Sequence, residues 1–217
     1  MTSILIKIIP LDLAATLSPG ILALSVILLG SKAHPKIRTF SLLVGTLLVA
    51  IAIAILGLTI AKATPESVQP TLISAIVDLV LGLVFIYFAI KQLVAKERKI
   101  KENDQAQGYQ IFRWLIIGII ISATNFDAVL LNLAAAKEVG DAAISSIAKI
   151  ILLAVNILFF IAPTSIPFVL YLIFPKFAAK ILGKLNDFLI KYAKYILFIM
   201  FAIFGIYFVY RALKYFI

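Results

Sequence analysis

LDLAATLSPGILALSVILLGSKAHPKIR, residues 11–38, decides how the chain folds. The stretch stays apolar for about a membrane thickness. It is interrupted in its middle by Ser18-Pro19-Gly20 and ends in the basic cluster Lys32, His34, Lys36 and Arg38. A break at mid-depth in a spanning helix frees N–H and C=O groups that lipid cannot satisfy, so it is tolerated only inside protein or against a cavity. A second break is expected near residue 125, and the chain reads as organised around the two.

The surrounding composition agrees. Of 217 residues, 64% are hydrophobic and 14% charged, well outside the balance of a water-soluble domain. Six segments, residues 8–30, 39–61, 71–90, 114–136, 150–175 and 195–210, approach the ~20 residues a bilayer requires. The opening MTSILIKIIPLD has no basic n-region, so no cleaved signal peptide is expected. The absence of cysteine excludes membrane thiol–disulfide carriers and thiolate metal sites. The single histidine, His34, reads as a loop residue at the membrane surface. The sequence holds no HExxH, no GxSxG-type nucleophile with its histidine, no acidic pair for phosphatidyl transfer and no P-loop. Neither an enzyme nor an ATPase is expected, and no cofactor or metal.

The net charge of +10 sits in short loops between apolar runs, so topology and anionic headgroups explain it better than nucleic acid does. Fourteen of the 20 Lys and Arg fall in the first, third and fifth loops. That bias predicts those loops in the cytoplasm and both termini outside, in a plasma-membrane protein.

Residues 96–113 read as a solvated cytoplasmic linker between two halves, residues 1–95 and 114–217, of three spans each. An odd number of spans per half forces the second half in from the opposite side, which is the arithmetic of an inverted repeat. Each half opens with a span interrupted by polar residues. Each closes with a glycine-bearing aromatic span, LGLVFIYFAIKQL and FGIYFVYRALKYF. The fold class expected is therefore an all-α polytopic membrane protein of six spans in two inverted three-helix repeats.

Before the last span, Lys176, Lys180, Lys184, Lys191 and Lys194 share one narrow stripe of a helix at 100° per residue. A basic amphipathic helix on the cytoplasmic surface, running into the last span, is expected there. Two roles stand: a positive-inside anchor on anionic lipid, or a recruiting surface for an anionic lipid substrate.

At the first break Ser18 suits an N-cap and Pro19 the first helical position. A helix N-terminus near the bilayer centre attracts anions and is typical of transporter sites. The other reading is a proline kink, with Gly20 permitting close helix contact. At the second break, Thr124-Asn125-Phe126-Asp127, Asn125 caps a restarting helix and Asp127 lies in its first turn. A charge at that depth must face protein or water; alternatively Asp127 only satisfies its own helix end. Asp78, Asp12 and Asp127 are the candidates for ion or proton coupling, Asp78 being merely interfacial if its span starts late. Asn156 is a candidate substrate contact or a bond across helices, and Pro163 to Pro167 a hinge or a plain kink.

LSPGILALSVILLGSKAHPKIRTFSLLVG resembles the LysE superfamily of exporters, with a Pro-Gly motif in the first span, a basic loop and a glycine-bearing second span. IGIIISATNFDAVLLNLAAA matches the superfamily's fourth span, with Phe126 where the family pattern has proline. Within the superfamily the layout is most similar to the peptidoglycolipid-addressing, Sap-like group, on DLVLGLVFIYFAIKQL, PTSIPFVLYLIFPKFAAKILGKLNDFL and ILFIMFAIFGIYFVYRALK. The resemblance implies six spans, inverted repeats and export of a solute or amphiphile, the group itself being associated with moving glycolipids toward the cell surface.

The expected function is a secondary transporter or exporter of a small anionic or amphiphilic, lipid-linked substrate. Its site would lie between Ser18-Pro19-Gly20 and Thr124-Asn125-Asp127, with membrane lipids as partners; a homodimer is compatible with this. The competing expectation is a non-transporting scaffold for an envelope or lipid-processing complex.

Overall fold

The computed structural model describes residues 2–31, 34–63, 72–94 and 110–215. Among them run eight helices and no strand: α1 (Thr2–Thr16), α2 (Pro19–Gly30), α3 (Pro35–Ala63), α4 (Leu72–Val94), α5 (Ile111–Ala123), α6 (Phe126–Asp141), α7 (Ser146–Ile173) and α8 (Pro175–Leu213). α3, α4, α7 and the Lys194–Leu213 part of α8 are each long and apolar enough to cross a membrane. α1 with α2, and α5 with α6, form bent pairs, giving up to six spans if each pair is one. The polarity is inside-out relative to a water-soluble protein. Ile55, Leu83, Ile120, Leu158 and Ile206 face outward, while Asp12, Asn132, Lys137 and Asn156 are wholly buried. The chain is a multi-pass membrane protein.

Apolar side chains gain little from leaving lipid for a helix interface, so close approach and polar bonds must hold such helices together. The sequence supplies both. α3 packs along α5 and α6, α7 lies against α1, α2 and α6, and α4 pairs with α8. Gly45 and Gly118 let α3 and α5 touch: a Cβ on either would overlap the backbone of the other helix. Gly57 meets Ala136 and Gly140 meets Ala61 further along. Beneath Gly118, Ser122 donates to the Thr46 hydroxyl at 3.0 Å, both side chains buried. In the α4–α8 pair, a Cβ on Gly82 would sit 2.8 Å from the Val209 nitrogen and 3.0 Å from the Gly205 oxygen. Phe85 packs edge-on against Phe201 and Phe208 at 5.4 and 5.7 Å.

Both expected breaks are present. At the first, a residue preceding proline is pushed out of the helical region, and Ser18 takes φ −115°, ψ 81°; α1 and α2 meet at 50°. The second has no proline and is sharper, at 73°. Thr124 closes α5 by donating to the Ile120 carbonyl at 2.7 Å, and Asn125 leaves the helical region at φ −80°, ψ 68°.

Two boundaries differ from expectation. α5 begins at Ile111, inside the linker assigned to residues 96–113; residues 95–109 lie outside the described residues. α6 runs past residue 136 to Asp141, drawing Lys137 out of the loop expected there and into the core, because Asp78 of α4 and Asp141 of its own helix neutralise it. The basic segment runs into the last span, as expected. It is continuous with that span in α8, whose 39 residues extend about 58 Å against ~30 Å of hydrocarbon. Lys184, Lys191 and Lys194 are exposed on it, and the side chains of Lys176 and Lys180 lie outside the described residues. Exposed Phe188 and Tyr192 pack together at 5.0 Å, with the Lys191 and Lys194 ammonium groups over the Tyr192 and Tyr195 rings at 5.1 and 4.9 Å.

Candidate functional site

Three polar groupings occupy the interior. The first joins the two breaks. Ser18 and Asn125 occupy the N-cap positions of α2 and α6, yet neither side chain caps its own helix. Instead the Asn125 amide donates to the Ser18 hydroxyl oxygen at 2.8 Å, linking residues 107 apart in sequence. Two helix N-termini, with their outward N–H groups and partial positive charge, therefore begin side by side. Asp127, half-buried in the first turn of α6, accepts from the Gln92 amide of α4 at 2.6 Å. Gly20 touches no neighbouring helix: a Cβ there would meet nothing within 4 Å. The glycine expected to permit helix contact borders open space instead, unlike Gly45, Gly82, Gly118 and Gly205. Pro19 stands at the start of α2, its side chain outside the described residues. Thr124 does not join the group; it is exposed and turned back onto α5.

The second grouping lies apart from the breaks. The Asp12 carboxylate of α1 accepts, on Oδ1, from Asn156 of α7 at 2.6 Å and from Asn132 of α6 at 3.3 Å. The two amides also donate reciprocally to each other's main-chain oxygens, at 3.1 and 3.2 Å. Asn156 thus bonds across helices rather than lining the break. Next to it, Pro163 has no N–H to offer the Phe159 carbonyl, and the Thr16 hydroxyl of α1 is shared between that carbonyl at 3.1 Å and the Asp12 carbonyl of its own helix at 2.9 Å. Asn132 was not singled out by sequence reasoning; one amide in the apolar run VLLNLAAA was its only signal.

The third grouping gathers one end of the helices. Arg211 of α8 grips Asp78 of α4 through two bonds, at 2.6 and 2.8 Å, and reaches Glu138 of α6 at 2.6 Å. Lys7 of α1 pairs with Glu138 at 2.9 Å, and Lys137 with Asp141 at 2.7 Å and Asp78 at 3.3 Å. Three bases meet three acids, so the cluster is neutral. Asp78 is held in this network by Arg211 and Lys137. Lys137, Glu138, Asp141 and Arg211, with Lys7 at their edge, escape sequence reading because charges near span ends look like loop charges. Among the described residues, no three His, Cys, Asp or Glu side chains converge as a metal site.

The family model described as Sap, sulfolipid-1-addressing protein, matches residues 8–214, spanning both breaks and, Lys7 apart, all three groupings. The chain belongs to this family. The Sap-like resemblance read from the sequence is thereby met. No curated protein and no solved structure matches the chain. This Sap-family chain is thus a membrane protein tied by family to sulfolipid addressing, and what it moves or holds rests on its own residues.

Proposed function

We propose that the chain is a secondary transporter or exporter of an anionic amphiphile, its substrate headgroup held where α2 and α6 begin. One observation carries this reading: two helix N-termini, one from each half, lie adjacent through the Ser18–Asn125 bond with open space beside Gly20. Paired N-termini offer backbone donors to a sulfate, phosphate or carboxylate. The family's name points to a sulfated lipid, whose headgroup has that chemistry. Asp127 makes the site asymmetric: the first break offers donors only, the second adds a charge that Gln92 orients.

The pairing of spans supports inverted repeats. α7, in the second half, packs on α1 and α2, and α3, in the first half, packs on α5 and α6, while α4 pairs with α8. Exchanging the halves leaves that scheme unchanged, as a pseudo-two-fold axis in the membrane plane requires. Pairing of Lys7, Lys137 and Arg211 with acids reduces the uncompensated positive charge at their end. The count of Lys and Arg in the loops supports the Lys-rich loops in the cytoplasm and both termini outside. The LysE-superfamily kinship and a plasma-membrane location belong to the same reading. In it the chain is no enzyme, and the exposed basic and aromatic face of α8 lies on anionic lipid.

A scaffold without transport is the second reading, favoured by the tightly filled core around Leu131, Ala134, Ala135 and Ala136, all wholly buried. Reconstitution into vesicles separates the two. Wild-type protein should move a fluorescent sulfated or phosphorylated lipid between leaflets, whereas Pro19→Ala and Asp127→Asn should lose at least about tenfold in rate, one charge-assisted bond's worth. If both variants fold and match wild type, the site is not at the breaks. If wild type moves no anionic lipid or solute, the scaffold reading stands.

A further inference from the structure

We infer that Asp12, Asn132 and Asn156 form a binding site for a small alkali cation of the Na+ kind. Asp12 is wholly buried among apolar side chains of α1, α6 and α7, and no cationic side chain pairs with it among the described residues. A buried carboxylate without a counter-charge is strongly disfavoured, more so inside a membrane. The acids of the charge cluster solve this with Arg211, Lys7 and Lys137; Asp12 has only two amides.

The unused atoms indicate what completes the site. Asp12 Oδ2, Asn132 Oδ1 and Asn156 Oδ1 are all buried and without a hydrogen-bond partner among the described residues. All three are acceptors, so the missing group must be positive or a donor. A proton on Oδ2 satisfies that oxygen and at most one amide oxygen, leaving the third unpaired. A hard monovalent cation takes all three oxygens together and cancels the charge; oxygen-only donor sets are the preference of such ions. The three side chains come from both halves, so the occupied site would cross-link α1 to α6 and α7.

The binding site stands without transport; only its service as the coupling ion rests on the transporter reading. The test therefore reads binding. Purified wild-type protein is melted in about 1 and about 100 mM NaCl, with choline chloride keeping ionic strength constant and KCl as a parallel arm. A Tm rise of about 4 °C or more with Na+ is expected, as for a ligand taken well past its dissociation constant. Asp12→Asn should lose the rise, and Asn156→Ala should reduce it. Because either variant risks misfolding, saturable binding of radiolabelled Na+ to wild-type protein, one ion per chain, is the second measurement. Absence of saturable Na+ binding overturns the site. So does a wild-type Tm that follows pH but not Na+, which would assign a proton to Asp12.

Discussion

Replacing Arg211 by Gln removes the centre of the charge cluster while leaving a polar side chain of similar reach. Arg211 makes both bonds to Asp78, at 2.6 and 2.8 Å, and one to Glu138 at 2.6 Å. After its loss Asp78 retains Lys137 at 3.3 Å and Glu138 retains Lys7 at 2.9 Å. The three acids then face two bases, with one negative charge uncompensated. Breaking a buried ion pair costs about 3–5 kcal/mol. The Arg211 side chain is 16% exposed and each carboxylate keeps a partner, so the lower end, about 3 kcal/mol, is expected. That is more than a hundredfold in the folding equilibrium. Adding Asp78→Asn restores neutrality and should return about 1–3 kcal/mol as a coupling between contacting residues. The assay is reversible unfolding of purified protein in mixed micelles for wild type, both single variants and the double variant. A single Arg211→Gln cost under about 0.5 kcal/mol, or strict additivity in the cycle, would refute the cluster as a mutual neutraliser.

Gly20→Ala should leave stability unchanged or raise it by up to about 1 kcal/mol, since its Cβ meets open space and alanine favours the helix; thermal melting checks this. Gly82→Leu should abolish folded protein on size-exclusion chromatography, because even a Cβ there overlaps the Val209 backbone. Thr16→Val should cost about 1–3 kcal/mol by leaving the Phe159 carbonyl unpaired. Pro163→Ala, which returns an N–H to that carbonyl, should rescue it, and a double variant no more stable than Thr16→Val alone would reject this pairing.

Both helix breaks were legible because their causes are local. Proline at 19 forbids a helical Ser18, and Asn125 sits where an amide side chain competes with the helix. The sharper bend arose at the break without proline, so the strength of a helix breaker in sequence did not set the angle. The cap assignments failed for a reason no local rule contains: Ser18 and Asn125 bond to each other instead of to their own helices. Lys7, Lys137 and Arg211 were read as loop charges because charge ordinarily marks a span's end. Their pairing depends on acids from α4 and α6 that sequence spacing does not bring together. The glycine-bearing aromatic segments were noticed as a correspondence between halves. That Gly82 and Gly205 press against one another follows only from the antiparallel pairing of α4 with α8.

The bond between Asp12 and Asn156 also sets a timetable. These residues are 144 positions apart, an interval of roughly 7–30 s at ordinary rates of synthesis. For most of it α1 waits in the bilayer with an acid whose amides do not yet exist, and with a lysine, Lys7, whose partner Glu138 is also still to come. The newborn first half is therefore a transiently polar client that must be sheltered by the insertion machinery, or by water at the membrane face, until the sixth and seventh helices arrive. Slowing translation beyond residue 95 would lengthen that exposure and should increase degradation without altering the finished protein.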